Sequence, residues 1–153
     1  MPLRLLILLA AVLLGSVRAL GQERTWILDQ TDQEVYLVFG VPETDDVGVS
    51  FWCTQRSGIV KFYLPESDPD LKLAGPVDFE LEIDARKYPL KGKALVNEEA
   101  GTLSLETEFK VSDPVFPALR EASHFAVTAG TSNHVFPLGE ADFPAFLGAC
   151  GKP

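Results

Sequence analysis

The chain has 153 residues, with 13 basic against 22 acidic side chains and only two cysteines. A net charge of −9 repels phosphate backbones and anionic lipid surfaces, so nucleic acid is excluded as an expected partner. The length suits one domain with an ordinary hydrophobic core.

Met1 to Arg4 carries a positive charge, Leu5 to Leu14 is an unbroken apolar run, and Val17 and Ala19 put small residues at −3 and −1 of a cut after Ala19. This is the layout of a secretory signal peptide, and a cut after Gly21 fits as an alternative. The apolar run falls short of the roughly 18 residues that a membrane span needs. Residues 1–19 therefore read as a cleaved leader and 22–153 as one domain, periplasmic or secreted, with no stable membrane insertion after cleavage. Losing Arg4 and Arg18 leaves 11 basic residues facing 22 acidic ones, a formal charge of −11.

Thr25–Leu28 and Val35–Phe39 read as two short strands around the polar turn 29–33. Gly40, Pro42 and the Asp45–Asp46 pair form the next turn. The rest of the chain is organised around the stretch Val47–Glu66. Val47, Val49, Phe51 and Cys53 alternate with Gly48, Ser50, Trp52 and Thr54, the period of a strand. Gln55-Arg56-Ser57-Gly58 then links it to a second apolar run, Ile59–Leu64, and Pro65 ends the hairpin. The proline-rich segment 65–76 reads as a loop.

In 77–84, Val77, Phe79, Leu81 and Ile83 alternate with Asp78, Glu80, Glu82 and Asp84, as in a sheet covered on one side. Tyr88–Leu95 is a weaker strand whose Pro89 and Gly92 predict an edge position or a bulge. After the 97–101 turn, Leu103, Leu105, Thr107, Phe109 and Val111 mark a long strand. Asp113 as N-cap and Pro114 at the first helical position open a short helix over 113–122. Phe125–Ala129 and Val135–Leu138 flank a turn at 130–133. Phe143, Phe146, Leu147 and Cys150 fall on one face of a C-terminal helix over 141–150. The sum is an all-β fold: an antiparallel β-sandwich or flattened barrel of about eight strands with two short helices.

An even cysteine count in an exported chain predicts the bridge Cys53–Cys150, which ties the last helix to the central hairpin. The competing reading, a reactive thiol, needs a neighbouring His or helix N-terminus to lower its pKa. If Cys53 points into the core, Trp52 points to the other face of the sheet. Trp52, Phe62 and Tyr63 are the candidate recognition surface, although the favoured reading has Trp52 covered, by loops that cap a barrel or by the 65–76 loop.

His124 and His134 sit at matching ends of their predicted hairpin and could begin a metal site, but no third ligand stands at suitable spacing. Glu43, Asp45 and Asp46, and then Glu66, Asp68 and Asp70, form acidic turns that lack the glycine and distal Glu of a calcium loop. No nucleophile elbow, phosphate-binding loop or dinucleotide fingerprint occurs, so neither a catalytic residue nor a cofactor is assigned.

The stretches V-F-G-V-P-E-T-D-D-V at 38–47, F-W-C at 51–53, F-Y-L-P-E at 62–66, N-E-E-A-G at 97–101, D-P-V-F-P-A-L-R at 113–120 and F-L-G-A-C at 146–150 are spread along most of the mature chain. In these stretches it resembles a family of small exported bacterial proteins without an assigned activity. The resemblance implies no catalytic residue. C-x-x-x-x-G-x-V at 53–60 also resembles, slightly, the small β-barrel lysozyme inhibitors of bacterial envelopes, which place their cysteines differently. The expected function is a non-enzymatic envelope protein that binds a protein or small molecule. The alternatives are an inhibitor of a cationic lysozyme or protease, and a metal-dependent or carboxylate-based hydrolase.

Overall fold

Among the described residues, the alternation of apolar and polar positions is realised as nine strands and two helices. The structure, a computed structural model, describes residues 23–65, 75–97 and 102–152. The leader and both of its cut sites lie outside the described residues, as do Glu66, Asp68 and Asp70. The elements are β1 (Thr25–Gln30), β2 (Glu34–Gly40), β3 (Val47–Thr54), β4 (Ile59–Leu64), β5 (Gly75–Ile83), β6 (Arg86–Asn97), β7 (Thr102–Lys110), α1 (Val115–Glu121), β8 (His124–Ala129), β9 (Ser132–Pro137) and α2 (Phe143–Cys150). All nine strands belong to one antiparallel sheet in the order β1-β2-β3-β4-β7-β6-β5-β8-β9, curled into a half-barrel around a single core. The chain runs β1 to β4 as a meander, lays β5-β6-β7 back against β4 in reverse, and returns through α1 to β8.

Phe51 is the centre of the core. Its ring lies between 5.2 and 6.4 Å from those of Trp26, Phe62, Phe116, Phe125 and Phe143, so it links β1, β4, β8 and both helices. Aromatic pairs of this kind contribute about 0.5–1.5 kcal/mol each beyond the area they bury. The two ends of the sheet approach each other without a ladder. Trp26 of β1 donates its indole N–H to the Pro137 carbonyl of β9 at 2.5 Å, and Thr25 Oγ1 donates to Glu140 Oε2 at 2.7 Å.

The helices close the half-barrel. α1 starts at Val115 with Pro114, not Asp113, at the N-cap position; Asp113 stands one residue earlier, where its Oδ1 still accepts from the Val115 N–H at 3.1 Å. Asp142 caps α2, accepting from the Ala145 N–H at 3.0 Å. At the far end of α2 the last carbonyls would lack partners, and the β3–β4 turn supplies them. The Arg56 N–H donates to the Ala149 carbonyl at 3.0 Å and the Gly58 N–H to the Cys150 carbonyl at 2.9 Å. Arg56 and Gly58 reach these carbonyls with positive φ, 57° and 75°. Cys53 and Cys150 form the expected disulfide beside this cap, with Cα atoms 5.8 Å apart.

β6 is not an edge strand, contrary to one of the two options its Pro89 and Gly92 left open. It lies between β5 and β7. Yet it pairs with β5 over Arg86–Ala94 and with β7 only over Lys93–Asn97. Pro89 therefore sits where β6 has already left β7, and its missing N–H removes no bond from that ladder. Gly92 stands at the fork. A Cβ there would lie 2.5 Å from the Glu106 carbonyl oxygen and 3.0 Å from Phe79 Cε1, so only glycine allows the approach.

Candidate functional site

Because directly opposed residues of an antiparallel sheet share a face, the strand register fixes what the outer surface carries. Asp29, Tyr36, Trp52, Lys61 and Glu108 form one line across β1, β2, β3, β4 and β7. Val38, Ser50, Tyr63, Glu106 and Lys93 form the next line, ending on β6. Phe51 and Cys53 face inward and are buried, so Trp52 faces outward and is half-buried.

The indole is held from two sides. The Tyr36 ring stacks against it with centroids 6.0 Å apart and planes 18° apart, and Lys61 Nζ lies 4.1 Å from its centroid. The Tyr36 hydroxyl in turn donates to Glu34 Oε2. That bond raises the phenol pKa above its ordinary value, with desolvation and the negative charges of Glu34 and Asp29 adding to it.

Beside Trp52 the fork between β6 and β7 opens a groove of about 480 Å³. Its walls carry Trp52 and Lys61 on one side and Lys91 and Lys93 on the other, with Glu106 and Glu108 between them. Thr107 spans the fork, donating from Oγ1 to the Lys91 carbonyl at 2.8 Å. Lys93 is opposite Glu106 and Lys61 opposite Glu108. Among the described residues none of these four makes an ion pair. Lys91 reaches Asp78 at 3.8 Å, but both side chains are almost fully exposed and such a contact contributes little.

Of the three residues expected to form a recognition surface, the sheet brings Trp52 and Tyr63 to the outer face and turns Phe62 inward. Phe62 is 1 % exposed, opposite Phe51 and stacked on Phe79, because its parity in β4 is that of Val60 and Leu64. Lys61, Lys91, Lys93, Glu106, Glu108 and Tyr36 carry no signal of their own in the sequence. The spacings K-x-K at 91–93 and E-x-E at 106–108 put each pair on one face of its strand, but only the register unites them.

The two histidines do not face each other, which corrects the expected pairing. The turn between β8 and β9 is the two-residue Gly130–Thr131, so His124 is opposite Pro137 and His134 opposite Val127. His134 lies on the face of Phe125 and Phe136, its ring 6.5 Å from that of Phe136. His124 is exposed on the other face, with Nδ1 3.0 Å from Ser123 Oγ. Among the described residues no three His, Cys, Asp or Glu side chains gather as a metal site would require.

Fold and groove together define a disulfide-clasped antiparallel half-barrel with a mixed-charge, tryptophan-bordered groove on its outer face. No family model, curated protein or solved structure matches the chain.

Proposed function

We propose that this is a non-enzymatic envelope protein, exported to the periplasm or secreted, which binds its ligand in the groove beside Trp52. The observation that carries the reading is the groove itself: a concave site of small-molecule size that gathers an indole, three ammonium groups and two carboxylates. The disulfide supports an oxidising compartment. Among the described residues no helix is long and apolar enough to cross a membrane. The half-barrel interior is filled by phenylalanines, which favours a site on its surface.

The test is a titration of ¹⁵N-labelled residues 22–153 with a neutral tetrasaccharide, a uronate oligosaccharide, inorganic phosphate and tetra-alanine, followed by analysis of each recovered ligand. The expected result is a saturable shift of the Trp52 indole N–H and of Gly92 by at least one ligand, which is recovered intact. A cleaved ligand, shifts confined to other surfaces, or no shift with any of the four overturns it.

A further inference from the structure

We infer that the groove takes an uncharged saccharide. The inference rests on the groove being the binding site and goes on to name what occupies it. Lysine ammonium groups only donate hydrogen bonds and ionised glutamates only accept them. Here the two kinds stand directly opposite each other, Lys93 against Glu106 and Lys61 against Glu108, and do not pair. A group that bridges such a couple must accept from one side and donate to the other. A hydroxyl does both, whereas a carboxylate or an ammonium does only one. A ligand with several hydroxyls at fixed spacing therefore matches the two couples, one on each side of β7.

Charge points the same way. Lys61, Lys91 and Lys93 are offset by Glu106, Glu108 and the nearby Asp78, so the groove has no excess of either sign to hold an ion. Beyond it lies a chain with a net charge of −9, which repels anions at long range. Salt screens that field over about 8 Å at physiological strength, so it selects approach rather than fit. At the groove's end Trp52 supplies the carbon surface on which the C–H face of a sugar ring rests. Lys61 lies over that ring, but an exposed ammonium–indole contact is weak enough for a ligand to displace. The volume of about 480 Å³ is within the range of small-molecule sites.

The experiment is calorimetric titration of residues 22–153 with neutral tetrasaccharides (of glucose in β1,4 and α1,4 linkage and of N-acetylglucosamine), with tetragalacturonate and with the glucosamine tetramer. Amide spectra are recorded in parallel. The inference expects one of the neutral tetramers to bind with Trp52 and Gly92 shifting. Its affinity should change less than about twofold between roughly 50 and 500 mM salt, because no net charge is neutralised. Lys93→Met and Glu106→Met should each weaken it by about tenfold or more, since each leaves a hydroxyl with half its partners. Lys87→Met, on the outer face of the β5–β6 hairpin and away from the groove, should leave it unchanged. Unaltered amide spectra outside the groove exclude misfolding of the variants. Binding of only the galacturonate or glucosamine tetramer, or affinity lost with salt, overturns the saccharide's neutrality. Inorganic phosphate and tetra-alanine are titrated alongside, and groove shifts with either of these alone overturn the saccharide but leave the binding site standing. Silence of the groove towards every ligand overturns both.

Discussion

At the scale of single residues, the outer face is built from contacts that an exposed surface keeps only when neighbours hold them. Tyr36 is the clearest case, since its ring supports Trp52 and its hydroxyl is tied to Glu34. The bond raises the Tyr36 pKa above 10.0, so the folded state retains the phenolic proton that the unfolded chain begins to lose near pH 10. The stabilisation is therefore fully present below pH 10 and disappears as pH rises through the folded-state value. Phenolate absorbance should place one of the three tyrosines above the ordinary range. In Glu34→Ala that titration should fall back towards the ordinary value, and the loss of stability above pH 10 should shrink with it. A Tyr36 titration unmoved by Glu34→Ala would mean the bond does not form in solution. Parity was legible at this scale, because alternation alone puts Cys53 inward and Trp52 outward. Aromatic character alone groups Phe62 with Trp52, but its parity within β4 sends it to the core.

At the scale of elements, the sequence signalled an interruption in β6 without saying what it was for. Pro89 and Gly92 are the residues that a strand carries where its ladder fails on one side, and that side is the one facing β7. What could not be read was the extent of each pairing, because β6 pairs with β7 only over Lys93–Asn97 but with β5 over Arg86–Ala94. Two ladders of unequal length make the fork, and the fork makes the groove. Gly92→Ala tests the link. Its methyl group would meet the Glu106 carbonyl and Phe79, forcing the strands apart. We expect a loss of about 1–3 kcal/mol in urea denaturation, the usual range for overpacking. Amide shifts should run along Lys91–Lys93 and Glu106–Glu108, while α2 and its cap stay unchanged. An equally stable variant with an undisturbed fork would show that the strands have slack there and that the groove is not set by this glycine.

At the scale of the whole molecule, strand positions were legible because each depends on its own alternation. The sheet order was not, since β4 with β7 and β5 with β8 join strands far apart in the chain, and alternation within a strand does not name its partner. The histidine pairing failed for a plainer reason: positions 124 and 134 are opposite only if the hairpin centres on Ala129, whereas it centres between Gly130 and Thr131. One long-range contact was readable, because two cysteines allow a single bridge. Its separation of 97 residues spans almost the entire sheet. Closing a loop that long removes about 4–5 kcal/mol of unfolded-chain entropy on the polymer account. Domains of this size are stable by roughly 5–15 kcal/mol in total, so the clasp is a large share of the margin rather than a refinement. Yet the native contacts of α2 do not all depend on it. Phe143 and Phe146 remain buried, and the β3–β4 turn still caps the Ala149 and Cys150 carbonyls. Cys53→Ala/Cys150→Ala should therefore remain folded at 25 °C. Its urea midpoint should fall by about 2 M, given slopes of about 1–3 kcal/mol/M. Reduction of the unaltered protein should produce the same fall. Because the groove is on the opposite face of β3, the Trp52 and Gly92 amide positions should be preserved in the folded variant. A midpoint insensitive to both treatments would mean that the unfolded chain already holds its two ends together; a shifted groove would mean that the clasp also sets the curvature of the sheet.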